Sequence, residues 1–323
     1  MRFAVPFSVA LFTGLLAACE RDAAVEGGVC EKAGDCGQGL WCLGGICQKA
    51  PGGGAGEWVP PGEGDAGVAP CVADADLDTM VDVPAGPFWM GCNEAVDEEC
   101  FDDEKPYHLV TLSAFKIDKY AVTVGQYFRC VDNGACTHHF DNGQCIHDSD
   151  GKAILLPRFR GAMNPMVCVD WDQAKAYCAW VGKRLPTEAE REKAARGDDG
   201  RKYPRGNGSA PTCAIAVIDD PGGGGPGCGV NGTMPVGCKP MGASPYGAQD
   251  MVGNVFEWVA GWYWSHYYEI SPSLDPKGPS SARGAVMRGG AWVYQAGRMF
   301  RVSKRLVSDT WAAYDSGGFR CAR

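Results

Sequence analysis

The stretch AYCAWVGKRLPTEAE, residues 176–190, contains the end of one helix, a turn and the start of a second helix. Apolar side chains before the turn recur at intervals of three and four residues, which predicts a helix over 170–181 with one buried face. Gly182 follows directly, and glycine is the residue that most readily ends a helix. The turn after it leads into a new element.

A capping box begins that second helix. Thr187 precedes Glu190 by three residues, so the threonine oxygen can accept from the amide of residue 190 while the glutamate reaches back. We predict a helix that runs to about Arg196 and ends at Gly197.

Strands are expected on the N-terminal side of these helices. Residues 107–119 (YHLVTLSAFKIDK) mix β-branched and aromatic side chains, which predicts one or two strands, and a helix should follow from Thr123. From residue 77 onward, short segments of this kind are separated by turns. The pattern predicts a compact, loop-rich α+β domain over 77–323.

Six short motifs occur in order along this domain. They are FWMG (88–91), AYCAWVGKRLPTEAE (176–190), YPRGN (203–207), GNVFEW (253–258), RGGAW (288–292) and GFRCA (318–322). Through these motifs the chain resembles the formylglycine-generating enzyme family, also called sulfatase-modifying factors. The resemblance implies a C-type-lectin-like α+β fold, and it covers nothing before about residue 77.

The resemblance also implies a copper site whose cysteines this sequence lacks. Family members that oxidise a sulfatase cysteine to formylglycine hold copper(I) with two cysteines just after a Gly-Gly strand, because soft thiolates suit that ion. Here those positions are Tyr294 and Met299, and residues 239–320 contain no cysteine. Ala291 stands in place of a serine and Ser316 in place of an asparagine. We therefore expect no copper, and no catalysis by the family's route.

A calcium site is implied in DMVGNVFE, residues 250–257. Its ligands would be the side chains of Asp250 and Glu257 and the backbone carbonyls of Gly253 and Val255, because calcium prefers hard oxygen ligands. Calcium takes about six to eight oxygens, so other groups would have to complete the shell. The alternative is that the two carboxylates hydrogen-bond a tight loop without an ion.

Seventeen cysteines indicate an oxidising compartment, where disulfides persist. The resemblance implies one bridge, from Cys178 to Cys321, which would tie the C-terminus to a central helix. Sequence proximity favours two more, Cys92 with Cys100 and Cys130 with Cys136.

The N-terminus has the pattern of an export signal over 1–18. Arg2 supplies a positive charge, and the apolar stretch that follows is too short to span a membrane. LAAC (16–19) is similar to a bacterial lipobox, in which the thiol of Cys19 is acylated after cleavage. We expect an exported protein held in the cell envelope by this lipid anchor, at the periplasmic face or the cell surface. A plain secretory signal is the alternative.

Short regions are expected between the anchor and the main domain. Residues 19–29 form the anchor segment, and 30–50 contain four cysteines in a stretch too small for an apolar core. Two disulfides should therefore hold a mini-module together, and the sequence does not determine which of the four cysteines pair with each other. Residues 51–76 are rich in glycine and proline, which predicts a linker.

Charge and aromatic content bear on the partners. A formal net charge of −9 opposes binding to nucleic acid. Seven acidic residues within 94–104 are expected to form a solvated loop, and Tyr267 and Tyr268 to be exposed and to contact a ligand. Three histidines are expected to be exposed loop residues rather than metal ligands: His138, His139 and His147.

Together these features favour a non-catalytic, calcium-stabilised domain that binds a peptide, a protein or a glycan in the groove where the family enzymes hold substrate. Two alternatives stay open. One is a formylglycine-generating or other oxidoreductase with an atypical centre, and the other is a structural component of an envelope complex.

Overall fold

The computed structural model describes residues 40–43, 46–49, 71–73, 76–137, 157–295 and 297–323. The predicted export signal, the anchor at Cys19 and most of the linker lie outside these residues. So do the histidines at positions 138, 139 and 147. The chain divides into two units, Met1–Trp58 and Val59–Arg323, which are described separately.

In the first unit, a hairpin forms within the cysteine-rich stretch. Strand β1 (Leu40–Leu43) pairs antiparallel with β2 (Ile46–Lys49). The register places Cys42 opposite Cys47 along the backbone.

The second unit contains a four-stranded sheet at its centre. Its strands, in spatial order, are β10 (Gly317–Phe319), β7 (Phe256–Trp262), β8 (Ala285–Arg288) and β9 (Leu306–Ser308). The C-terminal strand β10 lies parallel to β7, and the other neighbours are antiparallel. The GNVFEW and GFRCA motifs, far apart in sequence, therefore lie side by side.

Two ribbons of two strands precede this sheet in the chain. β3 (Met80–Val83) pairs with β6 (Phe115–Asp118), and β4 (Gly86–Met90) pairs with β5 (His108–Leu112), both antiparallel. The stretch 107–119 thus forms two strands, within the range predicted from its side chains.

Each of the three longer helices starts at a capping box, which satisfies amides that have no partner inside the helix. α1 (Val124–Asp132) is capped by Thr123, α2 (Trp171–Trp180) by Asp170 and α3 (Glu188–Arg196) by Thr187. α3 ends at Gly197, whose φ is +77°. A short helix, α4 (Tyr267–Ile270), follows β7. Within the described part of the chain, no helix has the length and apolarity needed to cross a membrane.

Helix α3 is unusual because all nine of its residues are buried although six are charged. Its charges are paired with other elements. Glu192 accepts a hydrogen bond from the amide of Gly91 at 2.8 Å and pairs with Arg288, while Glu188 pairs with Arg305 at 2.8 Å. These polar contacts join α3 to the residue after β4 and to the central sheet, in addition to the packing of Ala189, Ala194 and Ala195 in the core.

Five disulfides join described cysteines to each other. The bridge that the resemblance implied, Cys178–Cys321, is present, as are the two inferred from proximity. Two others, Cys71–Cys238 and Cys213–Cys228, were not predicted. Cys168 is also disulfide-bonded.

Candidate functional site

A double glycine after β8 directs the chain toward the start of β7. Gly289 and Gly290 have φ values of +106° and +75°, a region that glycine adopts without strain. A Cβ atom on Gly290 would lie 2.5 Å from a ring carbon of Phe300. The turn therefore requires glycine for both conformation and space.

The exposed residues after this turn are Val293, Tyr294 and Gln295. Together with the partly exposed Asp219, which pairs with Tyr294 and Gln295 through the backbone, and Ser316, whose carbonyl accepts from the amide of Phe256, they are called the Tyr294 patch. Tyr294 is 37% exposed, and the Tyr294 carbonyl accepts from the amide of Asp219 at 2.9 Å. Val293 is 41% exposed. The patch offers apolar and aromatic surface beside polar side chains.

Phe256, the first residue of β7, is buried and packs against the ring of Tyr294. Its ring meets the ring of Tyr294 edge-on, with centroids 5.5 Å apart. Its amide donates to the carbonyl of Ser316 at 2.8 Å. Because Phe256 is buried, the orientation of Tyr294 is set by the core.

The positions that the resemblance assigned to the copper cysteines carry a phenol and a thioether. Met299 is half-buried and packs against the core, and Ala291 is fully buried. A thioether sulfur cannot become an anion, and a phenol is a hard oxygen ligand. These side chains can contact a ligand, but they do not provide a pair of thiolates.

A disulfide lies next to the patch. The amide of Cys228 donates to the carbonyl of Ile218 at 2.9 Å, and the following residue, Asp219, belongs to the patch. Cys228 and its partner Cys213 are both half-buried. No sequence pattern predicted this pair, because the two cysteines are 15 positions apart and meet only through the fold of the loop between them.

The 250–257 loop presents its carboxylates differently from the calcium expectation. Glu257 is 1% exposed. Its Oε1 accepts from Nε and Nη2 of Arg320 at 2.9 and 2.7 Å, and its Oε2 from Nε of Arg191 at 3.1 Å. Burial alone would raise the pKa of Glu257, but the two guanidiniums outweigh burial and lower this pKa below its usual range.

The other carboxylate of the loop is also engaged. Asp250 is buried, and its Oδ2 accepts from the amide of Gly237 at 2.7 Å. The carbonyl of Gly253 accepts from the amide of Val255 at 2.9 Å. The described residues thus fit the alternative, a loop held by hydrogen bonds, and do not fit a calcium ligand set that includes Glu257.

Residues 66–323 match the family model described as "Sulfatase-modifying factor enzyme 1-like domain". The chain belongs to this family. The match begins at residue 66, inside the stretch 51–76 that was predicted to be a linker.

Relatives of the chain include enzymes of this family. The formylglycine-generating enzyme of Streptomyces coelicolor is 34% identical over 281 residues, which cover 75% of this chain and 88% of that protein. The serine/threonine-protein kinase Pkn1 of Chlamydia trachomatis is 33% identical over 259 residues, or 76% of this chain, but the chain spans only 38% of the kinase.

Among solved structures, PvdO from Pseudomonas aeruginosa has a TM-score of 0.62 at 31% identity, covering 77% of this chain and 95% of PvdO. The predicted α+β fold of the formylglycine-generating enzyme family is thereby confirmed.

The expected exposure of Tyr267 and Tyr268 is wrong within this family fold. Tyr267 and Tyr268 are 7% and 2% exposed, not an exposed pair. The Tyr267 hydroxyl accepts from the amide of Gly278 at 3.1 Å, and the guanidinium of Arg305 lies 4.5 Å from the Tyr268 ring centre. Burial raises the pKa of Tyr268 well above its ordinary value. Both rings are part of the hydrophobic core, because α4 packs against it.

The prediction of a solvated acidic loop over 94–104 is also wrong for two of its members. Asp97 and Glu104 are buried, and both accept hydrogen bonds from Nη1 of Arg301. Glu104 additionally accepts from Nη2 of Arg301 at 2.8 Å. No local sequence pattern predicts this pairing, because Arg301 lies 204 positions from Asp97 and 197 positions from Glu104.

Proposed function

We propose that this chain is a non-catalytic binding protein of the bacterial cell envelope, which binds a peptide or a glycan at the Tyr294 patch. The observation that carries the proposal is the pair of residues at the family's copper-cysteine positions. Tyr294 leaves an exposed aromatic surface there, the half-buried Met299 packs against the core, and neither residue supplies a thiolate. A family scaffold without its reactive sulfurs retains the capacity to bind.

The composition of the patch supports such a ligand. The Tyr294 ring combines an apolar face with a hydroxyl group, which suits both sugar rings and peptide side chains. Asp219, Gln295 and Ser316 add hydrogen-bonding groups around it. A mostly apolar contact with a few placed polar groups is the usual arrangement at small-ligand sites.

Attachment to the envelope is supported by the sequence of the N-terminus. The apolar stretch ending in LAAC (16–19) has the pattern of a cleaved and acylated signal. Lipid chains on Cys19 would tether the protein to a membrane, with the family domain on the periplasmic side or at the cell surface.

We predict that the purified protein, incubated with copper, oxygen and a thiol reductant, does not convert a CxPxR-type sulfatase peptide to the formylglycine form. The Streptomyces coelicolor formylglycine-generating enzyme, treated in parallel, serves as the positive control. Mass spectrometry of the peptide is the measurement. Conversion above the level without protein would contradict the non-catalytic function.

A second candidate function follows from the disulfide beside the patch. If Cys213–Cys228 is reduced, it would present two thiols next to Tyr294, and the chain could then act as an oxidoreductase with an atypical centre. The same peptide assay tests this function, with oxygen as the oxidant, which takes two electrons from the peptide cysteine and two from the added thiol, and with the peptide sulfur leaving as hydrogen sulfide. Conversion by the wild-type protein that is lost in a Cys213→Ser/Cys228→Ser variant would establish it.

Binding can be tested with arrays of immobilised glycans and peptides. We predict that Tyr294→Ala weakens binding to the best-bound array member by about tenfold or more, the loss expected for one stacked ring and its hydrogen bond. Trp264→Ala is the matched control, because Trp264 is 42% exposed but follows the opposite end of β7. Equal losses of binding in both variants would show that the Tyr294 patch is not the binding site.

A further inference from the structure

What holds the 250–257 loop in place differs from what the family resemblance implied. We propose that two arginines, Arg191 and Arg320, stand in for a calcium ion at Glu257. The loop is then ordered by the chain's own cations, and the fold of this domain is independent of calcium.

Both carboxylate oxygens of Glu257 accept hydrogen bonds from arginine. The single N–H of Arg320 Nε is shared between Oε1 and Oε2 of Glu257 at 2.9 and 3.0 Å, Nη2 of Arg320 donates to Oε1, and Nε of Arg191 donates to Oε2. Both oxygens of Glu257 are therefore occupied by guanidinium N–H groups, and a calcium ion would have to displace these groups to bind there.

The neighbouring carbonyls are engaged by the same guanidiniums. Nη2 of Arg191 donates to the carbonyl of Met251 at 2.7 Å, and Nη2 of Arg320 donates to the carbonyl of Gln249 at 2.8 Å. The carbonyls on both sides of Asp250 thus accept from arginine. Collecting backbone carbonyls and a carboxylate around one positive centre is what a calcium ion does in a loop.

The charges of the buried groups around Glu257 also disfavour a bound calcium ion. Two guanidiniums carry the charge of one calcium ion, and together with the carboxylates of Asp250 and Glu257 they form a neutral set. Both arginines are fully buried. An added divalent cation would leave an excess of positive charge without water to screen it, which is strongly unfavourable.

Space for Arg191 is provided by a glycine of the RGGAW motif. A Cβ atom at Gly289 would lie 2.5 Å from Nη2 of Arg191. Arg320 is anchored from the other side, since its Nη1 donates to the carbonyls of Asp118 and Lys119 at 3.0 and 3.1 Å. The two cations come from α3 and from the residue after β10, so they are fixed by packing.

The wild-type protein tests the proposal directly. The full chain is stripped with EDTA, and thermal unfolding is followed by near-UV circular dichroism in EDTA and in about 5 mM calcium chloride. We expect melting temperatures that agree within about 1 °C, because an ion that does not bind the folded state cannot stabilise it. A rise of about 3 °C or more on adding calcium would overturn the proposal.

A pair of variants tests the role of Arg191. Arg191→Asn removes the cation and opens space beside Glu257, so the melting temperature of this variant should rise by about 2 to 4 °C with calcium. Arg196→Asn is the matched control, because Arg196 lies on the same helix, is equally buried and contacts Glu192 and Trp89 instead. This control should lose stability without responding to calcium.

Two results would contradict the assignment to Arg191. One is a folded Arg191→Asn variant that does not respond to calcium, and the other is an equal response in both variants. If Arg191→Asn does not fold with or without calcium, the wild-type measurement alone decides.

Discussion

Replacing Glu257 by glutamine should lower the free energy of unfolding by about 3 to 5 kcal/mol. The substitution keeps the size of the side chain but removes the negative charge that faces Arg191 and Arg320. All three side chains are at most 1% exposed. Two buried guanidiniums would then face a neutral amide, and removal of one partner from a buried ion pair leaves an uncompensated charge. Urea denaturation at neutral pH measures the loss.

Asp82→Asn is the control for this experiment. Asp82 pairs with Lys116 at 3.0 Å, but their side chains are 78% and 53% exposed, so the expected change is below about 1 kcal/mol. Similar losses for Glu257→Gln and Asp82→Asn would show that the buried pairs do not stabilise this domain.

The effect of Glu257→Gln should also depend on pH. Because the folded-state pKa of Glu257 is lowered, its ion pairs stabilise the protein above the ordinary pKa of 4.5 and lose this effect as the pH falls through the folded-state value. Protonation then removes the same charge that the glutamine removes. The difference between wild type and variant should therefore shrink in acid below pH 4.5. A difference that stays constant there would mean that charge is not its cause.

Loss of the Cys178–Cys321 bridge is expected to have a comparable effect. A Cys178→Ala/Cys321→Ala variant should be less stable than wild type by about 4 to 5 kcal/mol in the chain-entropy model. The bridge closes a loop between cysteines separated by 143 positions, and the entropy that such closure removes from the unfolded chain grows with the logarithm of loop length. The measurement is urea denaturation with the other bridges kept oxidised.

A Cys130→Ala/Cys136→Ala variant is the matched control for loop length. These cysteines are also buried, but they are separated by only 6 positions, so the same model gives a loss of about 2 kcal/mol. If the two double variants lose equal stability, loop closure is not the reason why the long bridge stabilises the fold.

Local sequence patterns predicted the elements around the candidate site. The capping box at Thr187 and Glu190 needs only residues three positions apart, and α3 begins and ends where this pattern and Gly197 indicated. The strand pattern of 107–119 is local in the same way. Such signals are readable because the interacting groups belong to one turn or one strand.

The interaction partners of residues in the candidate site could not be predicted from local sequence patterns. Glu257 accepts from Arg320, which is 63 positions away, and Arg301 reaches Glu104 across 197 positions. The exposure expected for Tyr267 and Tyr268 failed for the same reason, since burial depends on where α4 packs. The disulfide Cys71–Cys238, separated by 167 positions, is another such case.

The sequence by itself determined the family, the approximate boundaries of α2 and α3, and the presence of Tyr294 and Met299 where the resemblance implies copper cysteines. These depend on which residues are present and on their near neighbours. Only the tertiary structure decided that Glu257 is held by two arginines, that a disulfide lies beside the Tyr294 patch, and that the charges of α3 are buried. The physical reason is that a buried charge takes its partner from whichever element packs against it, and packing brings together residues that no local pattern connects.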